Sequence, residues 1–271
     1  MTDTPKASQP QKSAVVYVDG KPCLELAADR YIYPINTPDD QFKLYVAMRV
    51  YEAYAIKKFY DQIIPKRKRR TTAENTVETP DMADMRTFVL DHFESFTGAV
   101  LADGSAPGPE QQKLWLEENS TFLERIFRLG IDSVGPRERP DEARLGKAIL
   151  LFGQKEQKIH LEFRLYSPER KFEEVLRPIA IIDKLTQSDK HQYDKAISII
   201  ENSRRGETYT EANWDVIEQL CNQRLKCLEG AVIDGQPCTA INKESWVKRL
   251  LLIPKIYIMS QAIQDVEIKN A

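Results

Sequence analysis

The chain has 271 residues, 42% of them apolar, which is enough for one large domain or two modest ones with real cores. Charged residues make up 30% of it, yet the formal net charge is only −2. So dense and balanced a pattern describes a solvated surface and excludes a protein whose whole face is built for polyanions. No apolar run approaches the length of a bilayer crossing, so no membrane partner is expected.

Residues Met1 to Ser13 are rich in Pro, Ser, Gln and Lys and lack an apolar signal core, which reads as a disordered tail on a cytoplasmic protein. Val15 to Val18, the turn dipeptide Asp19-Gly20 and the return Cys23 to Leu26 predict a β-hairpin. Tyr31 to Tyr33 continue as β until Pro34, where the element is expected to stop. Thr37-Pro38-Asp39-Asp40 carries a capping hydroxyl, an early proline and two acids, so it predicts the start of a long helix over about Pro38 to Ile64. Leu44, Met48, Tyr51, Ala55 and Phe59 form its stripe, widened by Phe42, Val46, Val50 and Ala53. Pro65 ends it.

Residues 66–80 read as a basic and then polar linker. Helices are predicted from near Asp81, carrying Met85, Phe88, Val89 and Phe93, and over Glu110 to Leu129 with Gly130 as its cap. Ala102 to Pro109 and Gly135 to Pro140 have the composition of loops. Ala148 to Phe152 and Ile159 to Tyr166 predict a second hairpin around a turn at Gly153 to Gln157, although residues 140–152 also suit a helix. In the return strand Ile159, Leu161, Phe163 and Leu165 share one side. After Pro168 the chain reads as helical almost to its end. Thr208-x-x-Glu211 resembles a capping box ahead of a helix with Trp214, Ile217, Cys221, Leu225 and Leu228. Ile233-Asp234-Gly235 is a turn, Asn242 caps a short helix carrying Trp246, Pro254 breaks it, and a last helix carries Ile256, Ile263 and Val266. Val18-Asp19-Gly20-Lys21-Pro22-Cys23 is echoed by Ile233-Asp234-Gly235-Gln236-Pro237-Cys238. The flanks differ, so the echo reads as repeated turn chemistry and not as a duplicated domain. The expected fold is therefore mainly α with two small β-hairpins, an α+β chain with a helical C-terminal half. Residues 14–65 and 81–271 form either two domains or one.

Chemistry-bearing residues are scattered. His92, His160 and His191 have no His or Cys at metal-ligand spacing, and the four cysteines contain no C-x-x-C pair, so no metal or cofactor is expected. No phosphate-binding glycine loop or serine elbow occurs. One pattern resembles the signature of restriction-type nucleases: Pro140-Asp141 followed by Glu156-Gln157-Lys158. There two carboxylates, from Asp141 and Glu156, would hold Mg²⁺ while Lys158 steadies the attacking water. In this sequence the Glu-x-Lys falls in the expected turn, whereas in those enzymes it lies on a strand between apolar residues. The run Lys66, Arg67, Lys68, Arg69 and Arg70 offers five clustered cations for a nucleic-acid backbone, or for nuclear import in a eukaryotic source. Trp214 and Trp246 are large aromatics of the kind that anchor protein interfaces, and equally of the kind that fill cores.

Leu176-Arg177-Pro178, the Trp214 helix, Gly230 to Pro237 and the run from Lys243 through Trp246 to Pro254 together resemble the C-terminal half of some phage tail-assembly proteins. The resemblance covers about a third of the chain. It implies a non-catalytic role, holding an aggregation-prone tail component or joining virion parts, in host cytoplasm or virion. The sequence thus predicts an assembly or adaptor protein with protein partners or self-association, with a nucleic-acid-binding module using Lys66 to Arg70 and a Mg²⁺-dependent nuclease as the alternatives.

Overall fold

The computed structural model describes residues 12–36, 43–51, 55–57, 82–132, 147–150, 155–202, 207–263 and 266–269. It overturns the expected fold class: the chain is mixed α/β, with strands spread along its length and five sheets among the described residues.

The first hairpin forms as its sequence predicts. β1 (Val15–Val18) pairs antiparallel with β2 (Lys21–Glu25). Asp19 and Gly20 take φ of 50° and 76°, the left-handed pair that a tight two-residue hairpin turn needs. Asp234 and Gly235 repeat it with 50° and 75° between β13 (Leu225–Ile233) and β14 (Gln236–Cys238), so the sequence echo is one turn used twice.

The expected long helix over Pro38 to Ile64 is the largest correction. Residues Lys43–Arg49 form strand β4, which pairs along its length with β3 (Arg30–Asn36). Within the expected helix only residues 55–57 are described as helical, and the segments around them lie outside the described residues. Leu44, Val46 and Met48 are buried at alternate positions, so the same apolar residues satisfy a period of two as well as a helical stripe. Pro34 does not stop β3. It sits opposite Tyr45 on the edge strand of this sheet, where its missing N–H breaks no ladder. β5 (Phe93–Thr97) completes the sheet on the other side of β4. It ends at Gly98, where φ is 98° and an added Cβ would stand 2.8 Å from the Lys43 carbonyl oxygen.

Helices α1 (Met82–His92), α2 (Pro109–Glu118) and α3 (Ser120–Asp132) flank this sheet. The expected single helix over Glu110 to Leu129 is thus two, broken at Asn119, and Gly130 lies inside α3 rather than capping it. Phe88 of α1 meets Phe127 of α3 edge-on at 5.9 Å. Buried Gln112 of α2 donates to the carbonyls of Phe96 and Pro107 and accepts from the Phe96 N–H, fixing the loop that leaves β5.

The second expected hairpin does not form. β6 (Lys147–Leu150) pairs with β15 (Val266–Lys269), and β7 (Glu156–His160) pairs with β10 (Ile179–Asp183). β8 (Phe163–Ser167) pairs with β9 (Phe172–Leu176). The alternation itself holds, since Ile159, Leu161, Phe163 and Leu165 are all buried. The helical reading beyond Pro168 is likewise corrected, because strands recur from Phe172 to Lys269. Among the described residues helix there is confined to α4 (Gln187–Ala196), α5 (Trp214–Arg224), α6 (Lys243–Trp246) and α7 (Leu252–Ala262). Thr208 and Glu211 belong to β12 (Glu207–Ala212), paired with β11 (Ile197–Asn202), and the cap of α5 is Asn213, whose side chain accepts from the Val216 N–H. Leu225 and Leu228, expected on that helix, lie in β13, and Val266 lies in β15. Pro254 falls in the first turn of α7, where its missing N–H costs nothing.

Among the described residues the main sheet has six strands in the order β1-β2-β13-β10-β7, with β14 also on β13; the β2–β13 pair is parallel. Its inner face carries Leu24, Leu228, Ala180, Ile182 and Ile159, all buried. α5 and α7 pack on each other, and α7 reaches β7. Glu25, itself buried, accepts from the backbone N–H groups of Ala27, Asp234 and Gly235, binding the first hairpin to the last. One core cluster takes residues from Ala14 to Ala262.

Candidate functional site

β7 is a strand because its side chains alternate: Gln157 and Ile159 are buried, while Glu156, Lys158 and His160 face out. The two residues of the nuclease-like pattern that are described here therefore share one open face of the main sheet. They lie on a strand between buried residues, not in a turn.

The neighbouring strands complete that face. Residues directly paired across a ladder point to the same side of a sheet. Glu156 pairs with Asp183, Lys158 with Ile181 and His160 with Ile179. On the far side of β10, Ile181 pairs with Cys227 and Ile179 with Glu229. The register shifts between Ile181 and Ile182, because Ile182 pairs with Leu225 and leaves Lys226 as an extra residue. Such a bulge re-aims a side chain. Here the Lys226 Nζ lies 2.7 Å from Glu156 and 2.9 Å from Asp183, spanning three strands. Hydrogen bonds to Glu156 and Asp183 hold this ammonium above its usual pKa.

The face thus has three rows: Glu156, Asp183 and Lys226; then Lys158, Ile181 and Cys227; then His160, Ile179 and Glu229. Ile179, Ile181 and Cys227 are half-buried and form its apolar middle, with charges around them. Burial pushes the Cys227 thiol up. Beneath the first row, Arg224 pairs with the buried Asp189 at 2.9 Å, and Asp189 in turn closes a reciprocal cap with Thr186 on α4.

A second polar group lies in the interior. Lys255 on α7 is 0% exposed and donates to Glu218 of α5 at 2.8 Å. The other Glu218 oxygen accepts from Lys57 at 2.7 Å, and Lys57 also meets Asp215 at 2.6 Å. Burial opposes the Glu218 charge, but the bonds from Lys255 and Lys57 outweigh it and hold the carboxyl below its usual range. Cys221, buried alongside, is pushed up to about 12 by desolvation, which removes it as a nucleophile near neutral pH.

The remaining residues singled out in the sequence are dispersed. Asp141 and the run Lys66, Arg67, Lys68, Arg69 and Arg70 lie outside the described residues. Trp214 opens α5 and is half-buried against the core. Trp246 is 0% exposed, with its indole N–H donating to the Thr239 carbonyl at 2.8 Å, so it fills the core and offers no surface in the folded chain. His92 lies against the rings of Phe88 and Tyr51, and His191 is exposed on α4. Among the described residues no group of three His, Cys, Asp or Glu is placed to hold a metal ion, and no helix is long and apolar enough to cross a membrane. Sequence reasoning missed Asp183, Lys226, Ile179 and Ile181. The apolar run Ile179-Ala180-Ile181-Ile182, rich in β-branched residues, was the available signal for β10, but nothing local marks the bulge at Lys226.

No family model, curated protein or solved structure matches the chain.

Proposed function

We propose that the chain acts by binding protein and not by catalysis, as an assembly or adaptor component, and that the outer face of β7, β10 and β13 is its contact surface. The observation that carries this reading is the half-buried apolar strip Ile179, Ile181 and Cys227 rimmed by Glu156, Lys158, His160, Asp183, Lys226 and Glu229. An apolar centre with a polar rim is the anatomy of a protein interface. Three carboxylates on the same face oppose a nucleic-acid backbone. The likeness of the C-terminal third to phage tail-assembly proteins favours a role in virion assembly. To test the reading, wild-type and Ile181→Lys protein are immobilised and compared for partner retention from cells of the source. A partner held by the wild type and lost at least about tenfold by Ile181→Lys, with unchanged thermal unfolding, is the expected result. Equal retention by the two overturns the reading.

One observation favours a second reading. Glu156-Gln157-Lys158 lies on a strand, with Asp183 supplying a cross-strand carboxylate. That is the local setting in which a Mg²⁺-dependent nuclease needs its Glu-x-Lys. Two carboxylates could grip Mg²⁺ once Lys226 swings away, and Lys158 would orient water. The expected result on this reading is DNA or RNA cleavage with Mg²⁺ that Glu156→Ala lowers at least about a hundredfold. Equal activity in wild type and variant ends it.

A further inference from the structure

We infer that the partner of the outer sheet face is a second copy of this chain, stacked face to face about a two-fold axis that runs along β10. This rests on the reading of that face as a protein-contact surface. The order of the charges makes the face complementary to itself. On β7 the outward residues run Glu156, Lys158, His160; on β13, in the same rows, they run Lys226, Cys227, Glu229. A half-turn about an axis along the central strand lays β7 of one copy over β13 of the other. Glu156 then faces Lys226 of the second copy, and His160 faces its Glu229. Ile179 and Ile181 on the axis meet their own counterparts, which joins the two apolar strips into one. Lys158 faces Cys227.

Self-complementarity of this kind is what an isologous contact demands, since every residue must suit its image across the axis. The one like-charged meeting is Asp183 with its counterpart. Each Asp183 keeps its own Lys226 at 2.9 Å, shared with Glu156, which weakens that repulsion without cancelling it. The axis along the strands also leaves the two sheets nearly aligned, within the roughly 30° at which stacked sheets pack.

The face is small. Three strands about 4.8 Å apart and five residues rising about 3.4 Å each make a patch roughly 15 Å square. That is well below the roughly 800 Å² per partner of a stable complex, so the dimer through this face is a weak, reversible one.

The test is sedimentation velocity from about 1 to about 500 μM, using the full chain. Wild type is expected to move from monomer to dimer over that range, and Ile181→Lys to stay monomeric. The decisive arm uses two charge reversals. Glu156→Lys alone sets the introduced ammonium against Lys226 of an identical copy. Lys226→Glu alone sets the introduced carboxylate against Glu156 of an identical copy. Each variant by itself is therefore monomeric. Mixed together, the two variants oppose lysine to glutamate at both ends of the face and dimerise. A repair within one chain cannot produce that result, because neither chain carries both changes. Wild type that stays monomeric to about 500 μM overturns the inference. So do single variants that dimerise like wild type, or a mixture that remains monomeric. A monomeric wild type that still holds a different protein through Ile181 overturns the second copy alone and leaves the contact face standing. Loss of both overturns both.

Discussion

Lys255 sits among apolar side chains on α7 with no access to solvent, and a charge there is tolerable only because Glu218 meets it. Removing the partner is therefore costlier than removing an exposed ion pair. Glu218→Gln is expected to destabilise the fold by about 3 kcal/mol in urea titration, whereas Lys57→Ala, which leaves the Glu218–Lys255 pair intact, is expected to cost about 1 kcal/mol or less. The pH dependence follows from the direction of the Glu218 shift. Its carboxyl is held below the usual range in the folded chain, so the unfolded chain takes up the proton first as pH falls. The stabilisation is complete above the ordinary glutamate range and drains away as pH drops toward the lowered folded value. In Glu218→Gln that part of the acid dependence is absent, so the stability difference from wild type narrows on acidification. A gap that is constant from neutral pH down to about pH 3 would show that Glu218 does not carry this charge.

Among the elements, those set by neighbours in sequence were legible and those set by distant pairing were not. Both Asp-Gly turns declare themselves because the turn chemistry is local, and the positive φ values at Asp19, Gly20, Asp234 and Gly235 meet it, but only the first is expected from its flanks to join two strands. β4 misleads because Leu44, Val46, Ala47 and Met48 are all buried and fit either period. Its hydrogen bonds to β3 and β5 decide the matter, and neither partner is visible in the segment itself. α5 passes into β13 at Arg224–Leu225 with no glycine or proline between them, and Leu225 and Leu228 continue a helical spacing, so only pairing with β10 makes them a strand. Of the candidate face, Glu156 and Lys158 were found from spacing, while Asp183 and Lys226 wait on that same pairing. The end of β5 offers an element-scale test. Gly98→Ala drives a Cβ to 2.8 Å from a backbone oxygen at a positive φ, whereas at Gly20 nothing stands within 4 Å. Gly98→Ala is expected to cost roughly 2–4 kcal/mol, against about 1 kcal/mol for Gly20→Ala, by comparison of their thermal midpoints. Equal midpoints would mean that β5 does not depend on that close approach to β4.

The whole molecule is held by closures over long stretches of chain. β2 reaches β13 in parallel, β6 reaches β15, and Lys57 reaches α5. Each closure loses loop entropy before its contacts repay it, which puts this topology among the slower folders. The buried carboxylate of Glu25 shows what that means during synthesis. Its backbone donors at Asp234 and Gly235 are translated roughly 200 residues after it, so at about 5–20 residues per second the first hairpin waits on the order of 10–40 s on the ribosome before its edge is covered. Until then an anionic side chain destined for the interior stays in water beside an open strand. The hairpin at Asp19-Gly20 cannot be sealed until the one at Asp234-Gly235 has been made.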